Sequence, residues 1–308
     1  MTNSSKETDD RNIYFLTLQL IYSNKMIFNN KMKKSIACLM LAAVLGGCNN
    51  SAKQAQERLD RARAYCENNE FFAARSEIDS IRVLYPKEFD ALKGALALMR
   101  EVDYKEAERN IAYCDSLMPI RLQEADSLKA GFTFEKDTLY EEIGNYIWRQ
   151  QTIERNVKRC YVRCGVNENG EMYLASVYFG SRPIDHTSIR LSVPNSGLFA
   201  ETASIPYDGG VNYHFKDLGN ITEVVTYKEE KGLDAIKFIY DNAKSRIKIE
   251  YKGGKPYVIY MAEADKKSLV ATYNLATTLS DIYKMSQEKK KALKRIAYLN
   301  QKMNKTEE

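Results

Sequence analysis

The sequence predicts an α+β protein. Repeat-like α-helical hairpins come first, then an antiparallel β sandwich or barrel-like domain flanked by long helices, the last of them coiled-coil-like. Three observations carry this. Residues 55–130 are rich in helix formers, with apolar positions three and four apart. Residues 159–262 hold short β-rich runs separated by Gly, Pro, Asn and Asp. Residues 263–308 contain neither Gly nor Pro and space their apolar residues alternately by four and three.

Composition sets the frame. Of 308 residues, 44% are hydrophobic and 28% charged, the balance of a globular chain that folds in water. The formal net charge is +5, and the one dense basic block, Lys289-Lys290-Lys291, lies inside a helical pattern. Nucleic acid is therefore not an expected partner.

The amino-terminal region sets the address. Lys31, Lys33 and Lys34 form a basic start, and Ser35 to Leu45 is an uncharged, mostly apolar run. That run is shorter than the roughly 20 residues a membrane-spanning helix needs. A short apolar core behind a basic start, ending in small residues, is the secretory pattern. Here the end is Leu45-Gly46-Gly47-Cys48, which resembles the lipobox of bacterial lipoproteins. The resemblance implies that residues 32–47 are a signal peptide and that cleavage falls before Cys48. It also implies diacylglycerol on the Cys48 thiol and a further acyl chain, such as palmitate, on the new amino terminus. Several chains, each burying methylenes at about 0.8 kcal/mol apiece, hold a protein far more firmly than one. Asn49 and Asn50 follow Cys48, where an Asp would imply retention at the inner membrane. The implied location is the outer membrane facing the periplasm, ahead of the inner membrane or cell surface. Residues 1–31 precede the basic start; the expectation is that translation begins at Met32 or Met26 and that 1–31 is an upstream segment. Residues 48–54 are expected to be a short lipidated tether.

Of the six cysteines, Cys38 leaves with the signal and Cys48 takes lipid, so Cys66, Cys114, Cys160 and Cys164 remain. The periplasm permits disulfides. Cys160 and Cys164 would share a face of one strand, a poor placement for a mutual bond. Free, partly buried thiols are the favoured reading, with bridges the other option. A zinc site needs more ligands than two histidines in unrelated contexts, His186 and His214, supply.

Within residues 55–130, Ala74 and Pro86 recur at one fixed offset as Ala107 and Pro119. The same offset relates Leu59 to Leu92, Ala62 to Ala95, Tyr65 to Leu98 and Ile78 to Ile111. These marks resemble the tetratricopeptide repeat, a helix–turn–helix unit of about 34 residues. The resemblance implies two stacked hairpins, small residues where helices approach, and prolines closing each second helix. The usual Trp, Leu and Gly of the first helix are missing, so a peptide-binding face is only the weaker implication.

Gly131 breaks the helical pattern, and Phe132-Thr133-Phe134 alternates like an extended piece. Asp137 is placed to cap a connector helix from Leu139 to about Val157, within 131–158, with Tyr140, Ile143, Ile147 and Ile153 on its apolar side. Trp148, the single tryptophan, reads as a packing anchor. Cys160 to Val166 and Met172 to Phe179 flank Asn167-Glu168-Asn169-Gly170, a hairpin signal. Further strands are expected at 188–193, 198–205, 211–215 and 221–227, with a closing hairpin at 246–251 and 257–261. Leu233 to Asn242 suits either a short helix or a strand, with the helix preferred. Leu275, Leu279, Ile282, Leu293, Ile296 and Met303 form the seam of the last helix, expected to pack antiparallel on Leu139–Val157.

No GxSxG elbow, phosphate loop, HExxH or CxxC is present. His186 and His214 stand alone in sequence, and Asp208-Gly209-Gly210 reads as a turn. No catalytic, cofactor-binding or metal-ligating residue is expected; the one site residue is Cys48. The expectation is a non-enzymatic, lipid-anchored envelope protein that holds another envelope protein as a binding or scaffold module. The alternative is a ligand-binding lipoprotein whose tyrosine-rich β domain contacts a glycan or hydrophobic molecule.

Overall fold

The computed structural model describes residues 50–136, 139 and 142–304. The expected upstream segment, signal peptide and Cys48, and the proposed cap Asp137, lie outside the described residues. Among the described residues, five α-helices and two antiparallel sheets form an α+β arrangement with helices flanking a sheet domain. The chain divides into two compact units, one ending at Val102 and the other beginning at Asp103.

The first unit is helical. α1 (Ser51–Glu67) and α2 (Phe71–Leu84) form a hairpin, and α3 (Phe89–Lys129) begins beside them. Their buried stripes interlock: Leu59 and Ala62 of α1, Ala74, Ile78 and Ile81 of α2, Ala95, Leu98 and Val102 of α3. Ser51 to Gln54, expected as tether, are the first turn of α1 instead. The Asn50 carbonyl accepts from Gln54 N–H at 3.0 Å and the Ser51 hydroxyl donates to Glu88 at 2.5 Å.

The second expected hairpin is absent, and α3 runs unbroken through residues 99–107 and past Pro119. The reason is local. The first hairpin turns at Asn68-Asn69-Glu70, where Asn69 takes the left-handed conformation, φ 61°. The aligned residues are Glu101-Val102-Asp103. A β-branched valine resists positive φ whereas asparagine tolerates it, so the helix continues. Pro119 removes one N–H donor without ending the helix.

In the second unit the chain builds β1 (Phe132–Glu135), β2 (Asn145–Trp148), a 3₁₀ turn (Ile153–Arg155), β3 (Tyr161–Asn167), β4 (Met172–Gly180), β5 (His186–Ser192), β6 (Phe199–Glu201), β7 (Asn212–Asp217) and β8 (Asn220–Lys228). There follow α4 (Glu230–Asp241), β9 (Lys248–Gly253), β10 (Tyr257–Tyr260) and α5 (Glu263–Asn304). The larger sheet has the order β1-β2-β3-β4-β8-β7, the smaller β10-β9-β5-β6.

The connector helix expected over Leu139–Val157 is replaced by β2 and the 3₁₀ turn. Tyr140, Ile143 and Ile147 imitate a helical stripe, yet Ile147 pairs across from Gly165 while Tyr146 pairs with Val166 on the opposite face. Alternation on a sheet edge, not helical spacing, governs this stretch. Trp148 packs edge-on against Phe132 at 5.1 Å and lies so close to Gly131 that a methyl there would meet its ring at 2.3 Å.

The core of this unit lies between the inner face of the larger sheet and a cover formed by the smaller sheet, α4 and α5. β3 gives Val162, Cys164 and Val166, β4 gives Leu174, and β9 gives Ile249 and Tyr251, each the inward half of an alternating strand. The β3–β4 turn matches its sequence signal: the Asn167 side chain accepts from the Asn169 and Glu171 amides, and Gly170 takes φ 82°. α4 resolves the ambiguous stretch as a helix, burying Ala235, Ile236 and Ile239. α5 does not pack on a connector helix. Its first half lies on the larger sheet, with Leu269, Leu275 and Leu279 in the core. Its second half runs antiparallel to α3, joined by Asp281 with Arg121, Lys289 with Asp115 and Arg295 with Asp103. Along that half burial moves to Ala292 and Leu299 while Leu293 is exposed.

Candidate functional site

The one constellation with chemical order is buried between the two sheets. Inward positions on β8 are Ile221, Glu223, Val225 and Tyr227, so strand alternation carries a carboxylate and a phenol into an apolar layer. β4 contributes Ser176 in the same way, and His186 opens β5. His186 Nδ1 lies 2.8 Å from Glu223 Oε2, and His186 Nε2 lies 2.9 Å from Ser176 Oγ, which lies 3.1 Å from the Tyr227 hydroxyl.

A carboxylate in such a place is costly unless its lone pairs are filled. Glu223 has four donors. The backbone N–H groups of Ile184, Asp185 and His186 donate at 2.7, 3.0 and 3.1 Å, and the imidazole supplies the fourth. Three consecutive amides converge because Asp185 takes φ 52° and curls the chain into an anion-holding concavity. Gly253 permits this: a methyl there would lie 2.1 Å from the Asp185 carbonyl oxygen. Burial alone pushes the Glu223 carboxyl upward, but the imidazole and the three amides outweigh it and hold the group down at about 2.

Further polar contacts tie the layers together. The Tyr251 hydroxyl donates to the Val177 and Tyr161 carbonyls at 3.0 and 3.3 Å, and Asn212 donates to Ile205 and His186 carbonyls. Burial raises the Tyr227 phenol to about 12 and the Cys164 thiol to about 12, so both stay neutral. At the start of α5, Gln151 bridges the Val162 carbonyl, the Cys164 amide and Asp265, which also pairs with Arg159. Burial raises Asp265, and Arg159 and Gln151 offset this only in part.

Carboxylate, imidazole and hydroxyl in this order are the components of a hydrolase triad. Ser176 is 0% exposed, His186 1% and Glu223 3%, and Ser176 Oγ also shares a hydrogen bond with the Tyr227 hydroxyl. The array joins β5 of the smaller sheet to β4 and β8 of the larger one, with its members buried.

His214 does not join it. It is exposed on edge strand β7 and packs on Tyr207 at 4.9 Å. Asp208 accepts from the Gly210 and Asn212 amides, as its turn signature requires. The tyrosines divide by position: Tyr161, Tyr178, Tyr227 and Tyr251 are buried, while Tyr207, Tyr257 and Tyr260 are exposed, the last under the Arg246 guanidinium at 3.7 Å. Cys114, Cys160 and Cys164 are thiols outside any disulfide, and no group of His, Cys, Asp and Glu among the described residues is arranged to hold a metal ion. No helix among the described residues is long and apolar enough to cross a membrane.

Sequence reasoning singled out His186 but not its partners. Glu223, between Thr222 and Val224 in an otherwise inward-apolar strand, was the available signal: a charge on the buried face of a strand must have a partner. On the first unit an open groove of about 540 Å³ follows one face of α2, with Phe72 at one end, Arg75 and Asp79 between, and Val83 and Leu84 at the other. No family model, curated protein or solved structure matches this chain.

Proposed function

We propose that this chain is a lipid-anchored protein of the bacterial cell envelope, held in the outer membrane by acyl chains on Cys48, that binds another envelope protein as a non-enzymatic scaffold. The observation that carries the reading is the Leu45-Gly46-Gly47-Cys48 sequence behind a basic start and a short apolar core. Two features support the second part. The triad-like array is buried, and the part of the open groove along α2 that holds Phe72, Arg75, Ser76 and Asp79 offers side chains of both polarities to a partner. The partner would be a protein segment with apolar anchors and charge opposite to Arg75 and Asp79.

The experiment is fractionation of cells making the parent chain or Cys48→Ser. The parent is expected in the membrane pellet and the variant in the soluble periplasm. Equal sedimentation of the two would refute the anchor. Crosslinking from a photoreactive residue at position 76 then reads the scaffold role: a discrete envelope-protein adduct supports it, and a ladder identical to that from an unrelated exposed position contradicts it.

A further inference from the structure

Resting on the reading that Cys48 carries lipid, we infer that the α2–α3 turn is a membrane-seated tip, with Val83, Leu84 and Phe89 inserted among the lipid headgroups. The argument is one of reach. Helix α1 begins at Ser51, three residues after Cys48. Three residues of fully extended chain span no more than about 11 Å. Whatever holds Cys48 in a bilayer therefore holds the first turn of α1 at the bilayer surface.

The first turn of α1 is tied to the α2–α3 turn. The Ser51 hydroxyl donates to Glu88 at 2.5 Å, and the Tyr85 hydroxyl donates to the Gln54 side chain at 3.2 Å. α1 and α3 start, and α2 ends, at this one end of the helical unit. Three apolar residues are exposed there: Val83 is 69% exposed, Leu84 51% and Phe89 78%. In water such side chains have no favourable contact. In the interfacial zone, which receives amphipathic segments to a depth of about 5–10 Å, each gains from burial. Lys53, in the first turn of α1, and Lys87, in the α2–α3 turn, are both exposed at this end, as is Asp90, and a lysine ammonium can stay among lipid phosphates while its stem covers apolar surface. The tip would bring the helical unit to a fixed orientation on the lipid surface, where an acyl anchor alone would leave it free to swivel. Phe72, at the far end of α2, then faces away from the bilayer and remains available to a protein partner.

The test uses the acylated full chain bound to phosphatidylglycerol/phosphatidylcholine vesicles containing phospholipids brominated near the headgroup. Variants Phe89→Trp, Leu84→Trp and Phe72→Trp are compared with the parent, whose Trp148 emission is subtracted. Tryptophan at 89 and at 84 is expected to lose most of its emission on brominated vesicles and to shift to the blue, while tryptophan at 72 stays unquenched. With intact mass confirming lipid on Cys48, quenching at 89 and 84 no greater than at 72 overturns the tip and leaves the anchor standing. A chain that carries no lipid mass and stays in the supernatant overturns both.

Discussion

In the helical unit that ends at Val102, large apolar side chains stand in solvent, Phe72, Val83, Leu84 and Phe89 among them. In the β-rich unit, four tyrosines, a histidine and a glutamate lie inside. The β-rich unit also exposes apolar side chains, such as Leu218 and Phe199, so what sets it apart is its buried polar array. Exposed apolar surface on a small helical unit is informative because it contributes little to internal packing. A buried polar array with every member bonded is informative in the other sense: it specifies how two sheets meet. Under the proposed function recognition would fall to the first unit, while the buried array of the second ties its two sheets together.

The contrast can be broken most forcefully at Glu223. Glu223→Ala leaves three amide N–H groups and the His186 ring without their acceptor, a loss of about 3–5 kcal/mol. Urea unfolding should show the midpoint falling with little change in slope. An unchanged midpoint would mean that the array does not join the sheets.

Acid titration reads the same group in the native chain. The Glu223 carboxyl lies at about 2 when folded against an ordinary 4.5. A depressed carboxyl contributes its stability fully above about 4.5 and loses it as pH falls toward about 2, at most about 3 kcal/mol. Asp265 works with the opposite sign, since its carboxyl is raised: it favours the folded state as pH falls. Equilibrium unfolding from pH 5 to pH 2 should therefore show a decline in the parent that is strongly reduced in Glu223→Ala.

Ser176→Ala is a smaller perturbation, leaving His186 Nε2 and the Tyr227 hydroxyl one partner short, at about 1–2 kcal/mol. The smallest effect is expected in the other unit. The triple substitution of Val83, Leu84 and Phe89 by Ser should change unfolding free energy by less than about 0.5 kcal/mol per site, because more than half of each residue's surface is exposed in the folded chain. A large loss there would make the three a part of the helical core.

These two regions were not equally legible in the sequence. Strands β3, β4, β8 and β9 could be read from alternation, and the Asn167–Gly170 turn from its asparagine and glycine. The stretch around Ile147 could not, because Tyr140, Ile143 and Ile147 fall at spacings that a helix also produces. The failure of the second hairpin came down to one position, Val102 where Asn69 stands in the first. His186 and Glu223 are distant in the chain and meet only because β8 lies beside β4 and because β5 crosses to the other sheet. Topology of that kind leaves no local trace. The solvent-facing tip at Val83, Leu84 and Phe89 was illegible for the converse reason: an exposed apolar residue and a core residue are the same letter.

The most direct measurement is the mass of the amino-terminal peptide of the protein isolated from membranes. The account predicts a peptide beginning at Cys48 that carries diacylglycerol on the thiol and an acyl chain on its amino group. An unmodified peptide running through Gly47-Cys48 would contradict it.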